Sequence, residues 1–282
     1  MANIKTATKK ANIDLEAEVR ELHVLLRALG EQAIMMRDGG KLAEKEKTYS
    51  GNIVTEADHL LEQKIIKHLW EQYPTHRVRG EQSGATGSAE SAYEWIVNPI
   101  DGTTNFSRGL KFFSIAIGLL HNGVPVMGLV YFPELSRFVY AIKGKGVHDN
   151  GKPLKIFERP PIHEMRRALV AMAISKKPEG RLEVFQAARS KSANIVNMGS
   201  VTYNCVLLAE RKIDAVIHPD ATLFNIAAAI PILEESGCVM SGFEAGKLDL
   251  KKEPISVIFA ENKKLLEDIK KSLSPHWKAN KK

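Results

Sequence analysis

The chain has 282 residues, 44% hydrophobic and 26% charged, with a formal net charge of +7. That supplies a sizeable core of ordinary globular composition, in one large domain or two smaller ones. No apolar run is long enough to cross a bilayer, and the two cysteines, Cys205 and Cys238, give neither a disulfide framework nor a metal-ligand spacing.

Leu15, Val19, Leu22, Leu26, Leu29 and Ala33 recur at helical spacing and predict a long amphipathic helix ending at Gly39-Gly40. A second helix is predicted from Glu56 to Tyr73, with Leu61, Ile65 and Leu69 as its apolar stripe and Thr55 as its N-cap. Strands are predicted over Tyr93 to Val97, Phe113 to Leu120 and Val124 to Phe132, where β-branched and aromatic residues dominate. His121-Asn-Gly123 and Asp149-Asn-Gly151 read as turns. Pro160-Pro161 marks a soft boundary, leaving an N-terminal α+β part (1–157) and a C-terminal α/β part (158–282).

Beyond that boundary strands and helices alternate. Strands are predicted at Ala168 to Ala173, Ile195 to Met198, Asp214 to His218 and Ile255 to Ala260. Helices are predicted at Arg181 to Ser190, Ser200 to Arg211, Asn225 to Ser236 and Asn262 to Leu273. The pattern is a layered α/β organisation without internal repeats.

Four segments place polar groups at element boundaries: Gly51-Asn52-Ile-Val-Thr55-Glu-Ala-Asp58, Gly80-Glu81-Gln82-Ser83-Gly84, Trp95-Ile-Val-Asn98-Pro99-Ile100-Asp101-Gly102-Thr103-Thr104-Asn-Phe106, and Phe224-Asn225-Ile-Ala-Ala-Ala229. Mg²⁺ takes hard oxygen ligands, and Glu81, Asp101, the Thr103 hydroxyl and the Ile100 carbonyl are of that kind. Gly102, Thr103 and Thr104 at a helix start offer backbone N–H groups to a phosphate. Asp58 is a candidate to take a proton from a metal-bound water near Thr103. Each segment alone is weak evidence; the four in this order are specific.

Together these segments resemble the inositol monophosphatase family, part of a wider set of Mg²⁺-dependent, lithium-sensitive phosphatases. The resemblance runs from the first helix to Ile258 or beyond. Its signature is the run Trp95 to Phe106, matched everywhere except Asn98. It implies an αβαβα layered sandwich, a homodimer, a cleft completed by the C-terminal part, and hydrolysis of a polyol or sugar phosphate by a metal-activated water. Carried over by position, Glu81 is the first metal-binding Glu and Asp101 the second Asp of the motif, with Ile100 the carbonyl ligand. Thr103 positions the water, Asp58 partners it, and Gly102 to Thr104 cradle the phosphate.

Four positions depart from the family pattern by one chemical rule, a carboxylate exchanged for its amide. Asn98 stands where an Asp bridges two metals, and Asn225 where an Asp holds the second. Asn52 stands where the family has an Asp just ahead of Val54-Thr55, and Gln82 where it has the second Glu of Gly-Glu-Glu-Ser. His218 falls on a Glu that contacts inositol hydroxyls, and Phe224 on a common Trp. Of the direct carboxylates Glu81 and Asp101 remain, so weakened Mg²⁺ binding is expected. Turnover is expected to be weak, to need high Mg²⁺, or to be absent. The alternative is an inactive family member that binds or regulates.

The first ten residues hold no apolar stretch of the secretory kind, and with reduced cysteines a cytoplasmic location is expected. Basic residues gather at both ends, at Lys5, Lys9, Lys10, Lys278, Lys281 and Lys282. They read as solvated termini; a nucleic-acid or transcription partner is permitted by them, but no motif supports it.

Overall fold

In a computed structural model of the chain, which describes residues 13–40, 44–46, 53–173, 181–243 and 248–278, the first predicted helix forms as α1 (Leu15–Asp38). Asp14 caps it, its Oδ1 accepting from the Ala17 N–H at 3.0 Å. Its buried stripe includes Val19, Leu22, Leu26, Leu29 and Ala33. A short antiparallel ribbon follows, β1 (Glu44–Glu46) and β2 (Ile53–Thr55). Thr55 then opens α2 (Glu56–Gln72) through a reciprocal capping box with Asp58. Asn52, one of the four amide positions, lies outside the described residues.

The larger sheet is built from β3 (Arg77–Gly80), β4 (Gly84–Thr86), β5 (Tyr93–Asp101), β6 (Ser114–His121), β7 (Val124–Phe132), β8 (Arg137–Ile142), β9 (Val147–Asp149) and β10 (Lys152–Pro153). Its strand order is β10-β9-β8-β7-β6-β5-β3-β4. The helix α3 (Thr103–Ser107) leaves the end of β5. Both predicted turns form, with Asn122-Gly123 and Asn150-Gly151 in the left-handed region as two-residue hairpin turns require.

The second half gives β11 (Leu169–Met172), α4 (Arg181–Lys191), β12 (Asn194–Val196), α5 (Val201–Ala209), β13 (Ala215–Ala221), α6 (Leu223–Ile226), α7 (Ala229–Glu235), β14 (Val239–Gly242), β15 (Ile255–Ala260) and α8 (Lys263–Lys278). The smaller sheet has the order β12-β11-β13-β15-β14. No helix among the described residues is long and apolar enough to cross a membrane.

Three apolar interiors join these elements into five layers. In the first, α1 and α2 cover one face of the larger sheet, where Leu22, Leu26, Leu61 and Ile65 meet Trp95, Val97 and Leu129. In the second, α5, α6 and α7 lie between the two sheets, packing Ile226, Ile230 and Leu233 against Ile96, Val130 and Val216. In the third, α4 and α8 cover the outer face of the smaller sheet. This is the αβαβα sandwich that the resemblance implies.

Three elements differ from the sequence reading. β5 runs past Val97 to Asp101 because its pairing with β6 breaks and resumes between Asn98 and Asp101. Pro99, which has no N–H to donate, sits inside that irregularity. The predicted helix Asn225 to Ser236 starts earlier and is two pieces. Pro231 cannot donate to the carbonyl four residues back, Ala227, and the interruption falls at Ala227-Ala228. α8 continues beyond Leu273 through Pro275, its end held by Trp277 stacked on Phe243 at 4.3 Å.

Below α2, His76 is 4% exposed and accepts from Trp95 Nε1 at 3.1 Å through its Nδ1. It stacks on Tyr73 and Tyr93. An accepting Nδ1 requires the neutral ring, and burial lowers its pKa below the ordinary 6.5. Above that pH neither the folded nor the unfolded chain holds the proton, so the full stability is present. Below it the unfolded chain takes a proton that the folded one refuses, so stability declines as pH falls below about 6.5. In thermal unfolding from pH 8 to pH 5.5, His76→Gln, which keeps an acceptor for Trp95, is expected to show a shallower decline. An unchanged slope would remove His76 from the account.

Candidate active site

The site gathers where β5 ends. Alternation along this strand sends Trp95 and Val97 to the α2 side and Ile96 to the α6 side. Asn98 follows on the α6 side, buried at 1% exposure. Its Nδ2 donates to the Phe224 carbonyl at 3.4 Å, and its Oδ1 is buried without a hydrogen-bond partner.

Past Pro99 the chain turns at Gly102, which has φ of 86°. A Cβ there would lie 3.0 Å from the Phe112 carbonyl and 3.1 Å from that of Gly199, so this corner is glycine by space as well as by angle. The Thr103 hydroxyl donates to the Ile100 carbonyl at 3.1 Å. Gly102 to Thr104 open α3, whose first-turn amides have no partners within the helix. Asn105 clamps the turn to the second half of the chain, its Nδ2 donating to Phe112 O at 2.7 Å and Met198 O at 2.6 Å.

Asp101 is held by the start of α5. Its Oδ2 accepts from Ser200 Oγ at 2.5 Å, Thr202 Oγ1 at 2.7 Å and the Thr202 N–H at 2.9 Å. The carboxylate therefore sits on the N-terminus of α5, where helix polarity favours an anion. Burial still pushes its carboxyl above the ordinary aspartate range, against the pull of Ser200, Thr202 and the Val201 amide.

Glu81 follows β3 by one residue. Its N–H donates to Val97 O at 3.2 Å, which extends the β3–β5 ladder and sets Glu81 beside Asn98. The same row runs back through Arg79 and Arg77, each 3.4 Å from Glu94 Oε1. Arg79 also lies over the Phe224 ring at 5.7 Å. The turn after Glu81 rests on Glu62, whose two carboxylate oxygens accept from the Gln82 and Ser83 amides. Gln82 Nε2 is buried without a partner.

Asn225 sits three residues into the capping box of α6. Its Oδ1 accepts from the Thr222 N–H at 3.1 Å and from Thr222 Oγ1 at 3.0 Å. An N–H can only donate, so the oxygen is fixed on Thr222 and the amide has only its NH₂ left to present. In Asp58 the same geometry engages one of two carboxylate oxygens. Its Oδ2 accepts from the Thr55 N–H at 2.8 Å and from Thr55 Oγ1 at 2.7 Å. The strand β2 that carries Thr55 packs on α3, which brings this end of α2 to the Thr103 turn.

His218, on β13, is 9% exposed, with Nδ1 3.8 Å from Asp220 Oδ1. It lines a cavity of about 150 Å³ together with Gly199, Ser200 and Asn204. Through Ser200 that cavity borders Asp101. Sequence reading missed Ser200, Thr202, Asn204 and Glu62. Ser200 and Asn204 are four apart on one helix face, a spacing that was available; the others are marked by no local pattern.

The donor set divides in two. Glu81, the Ile100 carbonyl and the orphaned Asn98 Oδ1 are oxygens suited to a hard cation. At the second position that the resemblance implies, Asn225 has only an NH₂ to offer, and an N–H donor repels a cation. Among the described residues no three His, Cys, Asp or Glu side chains converge as they would around a metal ion.

The sequence model of the inositol monophosphatase family matches residues 16–278. A Neisseria meningitidis protein named putative Nus factor SuhB is 31% identical over 86% of this chain and 93% of its own length. A fructose-1,6-bisphosphatase/inositol-1-monophosphatase of Aquifex aeolicus is 27% identical over 84% and 89%. The crystal structure of a staphylococcal inositol monophosphatase-1 superposes with a TM-score of 0.81 at 20% identity, covering 93% of this chain and 96% of that one, which shows a shared fold. A match that spans α1 to α8 and repeats the same layers leaves one conclusion: the chain belongs to the inositol monophosphatase family.

Proposed function

We propose that this chain binds a phosphate monoester of a polyol or sugar at the Ile100 to Thr104 turn and hydrolyses it slowly, using one divalent cation where two would serve better. The observation that carries this reading is the Asn225 oxygen, committed to Thr222 and leaving an NH₂ at the second cation position. Glu81, the Ile100 carbonyl and Asn98 Oδ1 would hold the remaining Mg²⁺, with fewer charges and so more weakly. When bound, it would lower the pKa of its own water and so supply a nucleophile at neutral pH.

The chain's own groups do the rest. The amides of Gly102, Thr103 and Thr104 hold the phosphate oxygens. Thr103 orients the attacking water, and Asp58 takes its proton. Asp101 and His218 face the alcohol part of the ester from the α5 side. Neither Asn98 nor Asn225 offers a charge to the leaving oxygen, and electrostatic stabilisation is commonly the largest catalytic term. A cytoplasmic homodimer belongs to the same reading.

The test is phosphate release from inositol 1-phosphate and a panel of sugar phosphates across a Mg²⁺ titration. Slow release that rises through the millimolar range without early saturation is expected. No release above the blank at any Mg²⁺ concentration would sink the catalytic reading. The Asn225 geometry then favours a second one, a regulatory protein that binds phosphorylated ligands or partners without turnover. The relative named as a putative Nus factor supports this reading.

A further inference from the structure

Glu62 is buried at 1% exposure, on the inner face of α2. A buried carboxylate is costly unless its charge is met. Among the described residues no Lys, Arg or His pairs with it. Its Oε2 accepts from the Gln82 N–H at 2.8 Å and its Oε1 from the Ser83 N–H at 2.7 Å. Those are the two amides that follow Glu81. The approach is close enough that a Cβ on Gly80 would lie 2.5 Å from Glu62 Cδ. One side chain therefore holds the two backbone amides that follow Glu81 and packs against Gly80, where a Cβ would displace the Glu62 carboxyl.

We propose that Glu62 is a positioning residue for a cation site at Glu81, holding the 80–83 turn so that the Glu81 carboxylate stands in register with Asn98. This rests on the reading of Glu81 as a cation ligand. With amides at 82 and 98 the site has few charges, so its affinity depends on how well the ligands that remain are held in place. Charge-assisted bonds from two backbone amides supply that hold. The bidentate fit also explains why the residue is a glutamate. A glutamine in its place would turn an NH₂ against one of two N–H donors. An aspartate would keep the charge but fall short by one methylene.

The test is Mn²⁺ titration by calorimetry on the full chain, well below the unfolding temperature. Wild type, Glu62→Gln and Glu62→Asp are compared, with amide hydrogen exchange at Gln82 and Ser83 read in parallel. Both variants are expected to raise the Mn²⁺ Kd by about tenfold and to speed exchange at the two amides while circular dichroism stays native. Wild-type affinity in Glu62→Gln would overturn the proposal and leave the cation reading standing. Wild-type affinity in Glu62→Asp with loss in Glu62→Gln would assign the effect to charge and overturn positioning. A wild-type chain that binds no Mn²⁺ would overturn both the cation reading and this inference. Exchange data keep the test decisive if either variant is unstable, since unchanged protection at both amides contradicts the grip.

Discussion

Converting both amides back, Asn98→Asp together with Asn225→Asp, is expected to raise Mg²⁺-dependent phosphate release by roughly 10²-fold or more. The two positions are not equivalent. At Asn98 the side chain already turns an unpartnered oxygen into a buried space, and the change adds charge to an oxygen in place. At Asn225 one oxygen would stay on Thr222, as Asp58 keeps one on Thr55, and the NH₂ would become a second, anionic oxygen. Each single variant should fall well short of the pair, because position 98 serves both cations and position 225 the second, and neighbours couple. The double variant should also unfold at a lower temperature than wild type without metal, since new carboxylates crowd Asp101 and Glu81. Added Mg²⁺ should recover the loss, because a cation that binds only the folded state stabilises it. A double variant no faster than wild type would refute the one-cation reading.

Gly128→Ala is expected to be the most damaging glycine-to-alanine change among the described residues, costing roughly 4 kcal/mol or more. A Cβ at Gly128 would stand 1.9 Å from the Ala228 carbonyl oxygen and 2.8 Å from its carbon. Both atoms are backbone, so no rotamer change relieves the clash. Gly128 pairs across the sheet with Gly118, where a Cβ would meet Ala227 at 2.8 Å. The two glycines make a slot in the larger sheet, and the break between α6 and α7 lies in it. Filling the slot lifts α6, and with it Phe224 and Asn225, away from Asn98. Urea unfolding measures the cost; a variant within 1 kcal/mol of wild type would show that the slot has room to yield.

Much of the architecture is written in short-range pattern. The α1 stripe, the Thr55 cap and the Asn-Gly turns each have a local physical cause, and each forms where the residues place it. The run from Trp95 to Phe106 marked the turn that carries Asp101. Other features have a weak local signature or none. The Ala227 to Leu233 stretch looks like one apolar helix until the carbonyl that Pro231 leaves unpaired is counted. The slot at Gly118 and Gly128 depends on a helix about 100 residues later in the chain. Ser200 and Thr202 meet Asp101 across a comparable separation. Periodicity tells which face of an element is buried. It does not say what arrives there, so partners such as Glu62 beneath the Gly80 turn stay hidden.

The clasp between Asp101 and the start of α5 has a bearing on how such chains are read for activity. It joins the end of β5 to the layer between the sheets, through donors on Ser200 and Thr202. A descendant that abandoned hydrolysis would still lose the attachment of its two halves if Asp101 were replaced. Its presence is therefore testimony about assembly. Position 225 differs, because an amide and a carboxylate can both accept from Thr222, and that leaves it free to record whether the chemistry was kept.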